Sequence, residues 1–224
     1  MKKIAFTLFL ALLMLSLFAQ KLTVIDYFEK LPPEIIDDYK IENAEGEWIS
    51  KSNAGYEIFP TVDIINGYIE IIDEGTGGGT TKLQVVLFRK KDGSALIAIS
   101  KYTNDGGMYI ESRINFMEYK NEEWIDVTYD IQPSITCNNF VNQGFDMPDF
   151  PEDFHEMFGI VYNLPQYGTT IEISLIVGGL TLICDGTMES LPADKKLVCD
   201  FIDNTKKTPI KLYWDKPNRK FYLK

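Results

Sequence analysis

The sequence predicts an α+β fold that is mainly β, built as two helix-plus-antiparallel-meander repeats that form one continuous sheet or two packed sheets. Three observations predict it. The apolar period shifts towards two from Tyr56 onward. Turn signals sit between β-rich runs, with Asn66-Gly67 the strongest of them. The two halves of the chain also carry a faint internal duplication.

The elements follow in chain order. Lys2 and Lys3 precede an apolar run from Ile4 to Phe18 that ends at Ala19, the pattern of a secretory signal peptide over residues 1–19. The exported form is expected to begin at Gln20, and no later run approaches the length that spans a bilayer. From Thr23 to Tyr39 the apolar positions Val24, Phe28, Leu31, Ile35 and Tyr39 suit one helix face, split by Pro32 and Pro33. Three hairpins are then expected. The first runs from Val62 to Ile72 around Asn66-Gly67; the second joins Leu83–Arg89 to Ala95–Tyr102 through Lys91-Asp92-Gly93. The third joins Ile114–Tyr119 to Trp124–Tyr129.

A break from Pro133 to Phe158 ends in Glu152-Asp153-Phe154-His155, where Pro151 suits the first position of a short helix. Strands are expected at Thr170–Val177, Leu180–Asp185, Lys196–Ile202, Pro209–Trp214 and Lys220–Leu223. The duplication aligns Thr61-Val62-Asp63-Ile64 with Thr170-Ile171-Glu172-Ile173, Lys82-Leu83 with Lys196-Leu197, and Trp124 with Phe221. It divides the chain into repeats at residues 20–130 and 131–224.

Composition and motifs exclude more than they assign. Removing Lys2 and Lys3 leaves 20 basic against 33 acidic residues, a balance of −13, which disfavours nucleic acid and anionic lipid as partners. The single histidine, His155, is followed by Glu156, Met157 and Phe158, so a His-Glu-x-x-His zinc pattern fails at its second ligand. Gly75 to Lys82 resembles a phosphate loop, but Lys82 leads into a strand instead of a helix. It reads as a flexible inter-strand loop. No nucleophile elbow occurs and no carboxylate pair stands out, so no catalytic residue, metal ligand or cofactor is assigned.

Three cysteines in an exported chain suggest one bridge. Cys184 and Cys199 would face each other across a hairpin centred near Leu191-Pro192; the alternative is three buried thiols. Trp48, Trp124 and Trp214 could line a sugar-binding face or serve as core residues. Candidate ligand contacts are Gly77, Gly78, Tyr102, Trp124 and Trp214.

Leu87-Phe88-Arg89 with Asp92-Gly93, Tyr162-Asn163-Leu164-Pro165 with Gly168-Thr169-Thr170, and Leu212-Tyr213-Trp214-Asp215 resemble segments of an uncharacterised family of exported bacterial proteins with no known activity. The two-repeat architecture is similar to that of exported inhibitor and binding modules such as the β-lactamase inhibitor protein. These resemblances imply a periplasmic or secreted, non-enzymatic binding or inhibitory module with a protein or glycan partner. A carbohydrate-binding or carboxylate-based carbohydrate-active protein is the alternative.

Overall fold

A computed structural model describes residues 21–52, 54–75, 77–106 and 109–224. The leader over residues 1–19 and the junction at Gln20 lie outside them. The chain is α+β and mainly β, with three antiparallel sheets and a few helices. Helix α1 (Val24–Phe28) starts at a reciprocal cap: Thr23 N donates to Asp26 Oδ2 at 2.6 Å and Asp26 N donates to Thr23 Oγ1 at 3.3 Å. Pro33–Ile35 forms a separate 3₁₀ turn, since prolines cannot continue the helical ladder. Strands β1 (Glu42–Ala44), β2 (Glu47–Lys51) and β3 (Glu57–Ile58) make a small sheet.

The main sheet is a six-stranded meander of β4 (Thr61–Asp63), β5 (Tyr68–Glu74), β6 (Thr80–Arg89), β7 (Ala95–Asn104), β8 (Ile110–Lys120) and β9 (Glu123–Asp126). The expected hairpins at Asn66-Gly67 and Lys91-Asp92-Gly93 are present. Gly67 is needed twice over: its φ is +70°, and a Cβ there would lie 3.0 Å from Leu87 Cβ. Both faces of the central strands are buried, and alternate residues enter different cores. Ile69, Ile71, Leu83, Val85, Ile97 and Ile99 pack under α1 and the following turn. Val86, Phe88, Leu96, Ala98 and Phe116 face the second sheet. Lys90 is only 3% exposed and pairs with Glu118, which also bonds Lys120.

After β9 a short helix α2 (Thr128–Ile131) replaces the end of the expected strand, and Glu152–Met157 is a 3₁₀ helix with Pro151 just before it. The second sheet comprises β10 (Gly159–Asn163), β11 (Thr170–Ile176), then β12 (Ile210–Asp215) and β13 (Lys220–Leu223) in sequential order. Its inner face brings Ile171, Ile173, Leu212 and Phe221 onto the first sheet, with the Phe221 ring 5.4 Å from Phe88 and 5.0 Å from Phe116.

Between β11 and β12 the expected strands Leu180–Asp185 and Lys196–Ile202 are helices, α3 (Gly178–Cys184) and α4 (Pro192–Asn204). The spacing explains the correction. Leu180 and Ile183, like Val198 and Phe201, are three apart and fully buried, so each pair lies on one helix face. Pro192 occupies the start of α4. The proposed duplication therefore pairs unlike elements, because Lys82-Leu83 lies on β6 and Lys196-Leu197 on α4. The aligned β8–β9 and β12–β13 segments are both hairpins, but Trp124 packs on the first core and Phe221 lies in the second.

Strand β10 crosses the six-stranded sheet with one edge unpaired by backbone. Side chains meet three polar groups along that edge. Ser112 Oγ donates to Ile160 O at 2.8 Å, Ser100 Oγ donates to Tyr162 O at 2.7 Å, and Leu164 N donates to Gln84 Oε1 at 3.0 Å. This accounts for the buried Ser100 and Gln84 in an otherwise apolar layer.

Candidate functional site

The loop joining β5 to β6 folds back on itself, with Gly75 N donating to Gly79 O at 2.7 Å and Gly78 N to Gly75 O at 3.1 Å. A Cβ on Gly79 would sit 3.0 Å from Asn104 O, so the glycine lets this loop close against the start of the β7–β8 connection. The glycine run thus has a packing reason. Between the two connections lies a cleft of about 450 Å³, lined by Tyr39, Tyr56, Asp73, Gly75, Gly77, Gly79, Thr80, Thr81, Thr103, Asn104 and Asp105 among others.

Its floor is built by strand periodicity. Ile69, Ile71 and Asp73 share the inward face of β5, which places a carboxylate at the end of the core row, 9% exposed. Tyr39 Oη donates to Asp73 Oδ2 at 2.8 Å, and Tyr56 Oη donates to Asp73 Oδ1. The Tyr56 hydroxyl also lies 2.6 Å from the Glu74 carbonyl. Burial, helped by the bond to Asp73, raises the Tyr39 phenol well above its ordinary value; the bond to Asp73 raises Tyr56. Both Asp73 oxygens are occupied, so the carboxylate anchors two tyrosines and is poorly placed to take a proton from a substrate. The remaining lining is threonine hydroxyl, the Asn104 amide, glycine backbone, the Ala54 methyl and a second carboxylate, Asp105, whose Oδ1 accepts from Tyr109 N at 2.8 Å. Thr81 and Thr103 bring their Oγ1 atoms to 3.3 Å of each other.

The candidate residues divide between this cleft and other places. Gly77 lines the cleft and Gly78 turns the loop beside it. Tyr102 reaches it only through Asn104, whose Nδ2 donates to Tyr102 Oη at 2.9 Å. Trp124 is elsewhere: its ring packs tilted against Tyr119 at 4.9 Å and edge-on to Tyr27 at 6.2 Å, and its Nε1 donates to Lys30 O at 2.7 Å, fastening the N-terminal segment to β9. Trp214 lies between the sheets, 4.8 Å from Phe221 and 6.0 Å from Phe88. Neither tryptophan presents a free face at the cleft. The Tyr39–Asp73–Tyr56 cluster is not among the residues the sequence singles out. Tyr39 and Tyr56 lie 34 and 17 residues from Asp73, and the only sequence signal is an acid at an inward strand position.

Cys184 and Cys199 form a disulfide with Cα atoms 5.4 Å apart, joining two helices and not the expected facing strands. Cys137 is free, and burial pushes its thiol up, which disfavours a nucleophilic thiolate. Among the described residues no group of three or more His, Cys, Asp or Glu could hold a metal ion. No helix among them is long and apolar enough to cross a membrane.

These features define an α+β, mainly β protein with a cleft at the loop end of its main sheet. No family model matches the sequence, and no curated protein matches it. Among solved structures the chain is similar to a domain of an uncharacterized protein from Porphyromonas gingivalis W83. The TM-score is 0.51 with 14% sequence identity, covering 83% of this chain and 81% of that one. The likeness concerns the fold alone.

Proposed function

We propose that the protein is an exported, non-enzymatic binding or inhibitory module of the periplasm or extracellular space, which takes its partner at the loop end of the six-stranded sheet. The cleft between the Gly75–Gly79 loop and Asn104-Asp105 carries this reading. Its volume falls in the range of ligand sites, and its floor is fixed by two phenol–carboxylate bonds. The occupied oxygens of Asp73 favour recognition over hydrolysis. The disulfide is in keeping with an oxidising compartment. The paired hydroxyls of Thr81 and Thr103, in the same lining as Tyr56, support a glycan ligand as the second reading.

Gly77→Trp tests the site. Gly77 has no positive φ, and a Cβ there would meet nothing within 4 Å, so a large side chain projects into open space without strain. Wild type and variant are used to capture proteins from envelope extract and to probe a glycan array. A protein retained by wild type and lost with the variant supports the module; a glycan with that behaviour supports the second reading. Identical retention by both chains removes the cleft from recognition. Turnover of glycan, peptide or ester substrates would overturn the non-enzymatic assignment.

A further inference from the structure

Strand β9 pairs with β8 only from Met117 to Lys120, which leaves the outer edge of β8 before Phe116 without a strand neighbour. The direction of its backbone groups follows from Phe116. Phe116 N donates to Thr128 Oγ1 at 2.8 Å and Phe116 O accepts from Val127 N at 2.8 Å, so both point away from β7. By the two-residue period of a strand, Ile114 and Ser112 present their N–H and C=O groups to the same side. Among the described residues none of these four groups finds a hydrogen-bond partner. The edge of β10 is covered by three side chains, whereas this edge of β8 has no such cover.

A groove of about 460 Å³ runs beside it. Its far wall includes Tyr129, Gln132, Cys137 and Phe158. Two residues lining it, Gln132 and Arg113, each hold a buried polar atom with no partner among the described residues: Gln132 Oε1, an acceptor, and Arg113 Nε, a donor. The edge alone offers both donors and acceptors, the complement of an extended backbone, and Gln132 adds an unpaired acceptor to the groove's lining.

We propose that the groove along Ser112–Asn115 is a strand-addition site for an extended peptide segment of a partner protein. The segment pairs with Ser112 and Ile114. Side chains directed towards Phe158 and Ile160 are apolar, and those on the opposite face carry acceptors for Arg113. The formal charge of −11 opposes self-association, which favours a segment of a partner protein over a second copy as the occupant. This site is separate from the loop-end cleft.

The test selects linear dodecapeptides from a displayed library against the intact chain, then measures affinity and amide exchange with the selected peptide. Binding is expected to slow exchange of the Ser112 and Ile114 amides at least about tenfold. Ile114→Pro, which removes one edge donor, and Gln132→Met, which removes the orphaned acceptor, each weaken the peptide roughly tenfold, the worth of one hydrogen bond. Gln132→Met keeps or raises stability without peptide, so it remains informative if Ile114→Pro does not fold. Gly77→Trp leaves the affinity unchanged, which separates this site from the cleft. The proposal is overturned if no peptide enriches, if enriched peptides ignore Gln132→Met, or if protection maps elsewhere. Concentration-dependent protection of the same amides without peptide would identify a second copy as the occupant and also overturn it.

Discussion

Replacing Cys184 and Cys199 by alanine should remove a constraint whose size follows from the chain. The bridge closes a loop of 15 residues. In the chain-entropy treatment this loop costs the unfolded ensemble about 10 cal/mol/K, or about 3 kcal/mol at 25 °C. The helices it joins also hold each other through Leu180, Ile183, Val198 and Phe201, all fully buried, so the native packing should survive. A protein of this size unfolds in urea with a slope of about 2 to 3 kcal/mol/M, so the midpoint should fall by about 1 to 1.5 M at unchanged slope. Parallel urea titrations by tryptophan fluorescence and far-ultraviolet circular dichroism measure it. The tryptophans lie outside the cluster of Leu180, Ile183, Val198 and Phe201, so the two signals together test whether that cluster unfolds with the rest. A shift below about 0.3 M would refute the entropic reasoning. An early transition visible only by circular dichroism would refute the assumption of a single cooperative unit.

Alkaline pH should destabilise the protein. Burial raises Tyr39 and Tyr68 and pushes Tyr162 up to about 12, against about 10 in the unfolded chain. The folded state therefore holds phenol protons that the unfolded state releases. Stability should be unaffected by these groups below about pH 10 and fall as pH rises towards 12, as read from urea midpoints across that range. Asp73→Ala leaves the buried Tyr39 hydroxyl without its acceptor and should cost about 3 kcal/mol, measured by the same titration at neutral pH. Gly159→Ala would place a Cβ 2.6 Å from Ile110 Cγ2 and should cost about 1 to 3 kcal/mol. Adding Ile110→Ala to Gly159→Ala should cost less than the sum of the two single changes, since it removes the colliding atom.

Much of the main sheet is legible in the sequence because its signals are local. Asn66-Gly67 marks a hairpin wherever it falls between apolar runs, and Leu83 to Phe88 is the nearly continuous apolar run of a strand buried on both faces. The helices α3 and α4 are not, because Leu180–Cys184 is short and β-branched enough to mimic a strand; the three-residue spacing of Leu180 and Ile183, and of Val198 and Phe201, separates the alternatives. The cysteine pairing holds in spite of this, since a 15-residue separation brings the two residues together across either a hairpin or a helix pair. The cleft is half legible. Its glycines are visible in the sequence, but the partnership of Tyr39 and Tyr56 with Asp73 depends on how the N-terminal segment folds over β5. The tryptophans show the opposite limit: composition says that aromatic surface exists, and only packing says that Trp124 and Trp214 are spent on cores.

The covering of the β10 edge by Ser100, Ser112 and Gln84 has a consequence for newly made copies. Each of these bonds adds only about 1 kcal/mol to the folded chain, a contribution the apolar layer around it could supply instead. An uncovered carbonyl row, by contrast, is a template on which another chain's strand can grow while folding is incomplete. Two hydroxyls and one amide therefore act as insulation. With both serines changed to alanine, the two carbonyls would lose their donors at a cost of about 1 to 3 kcal/mol each, and the yield of refolding would become sensitive to protein concentration.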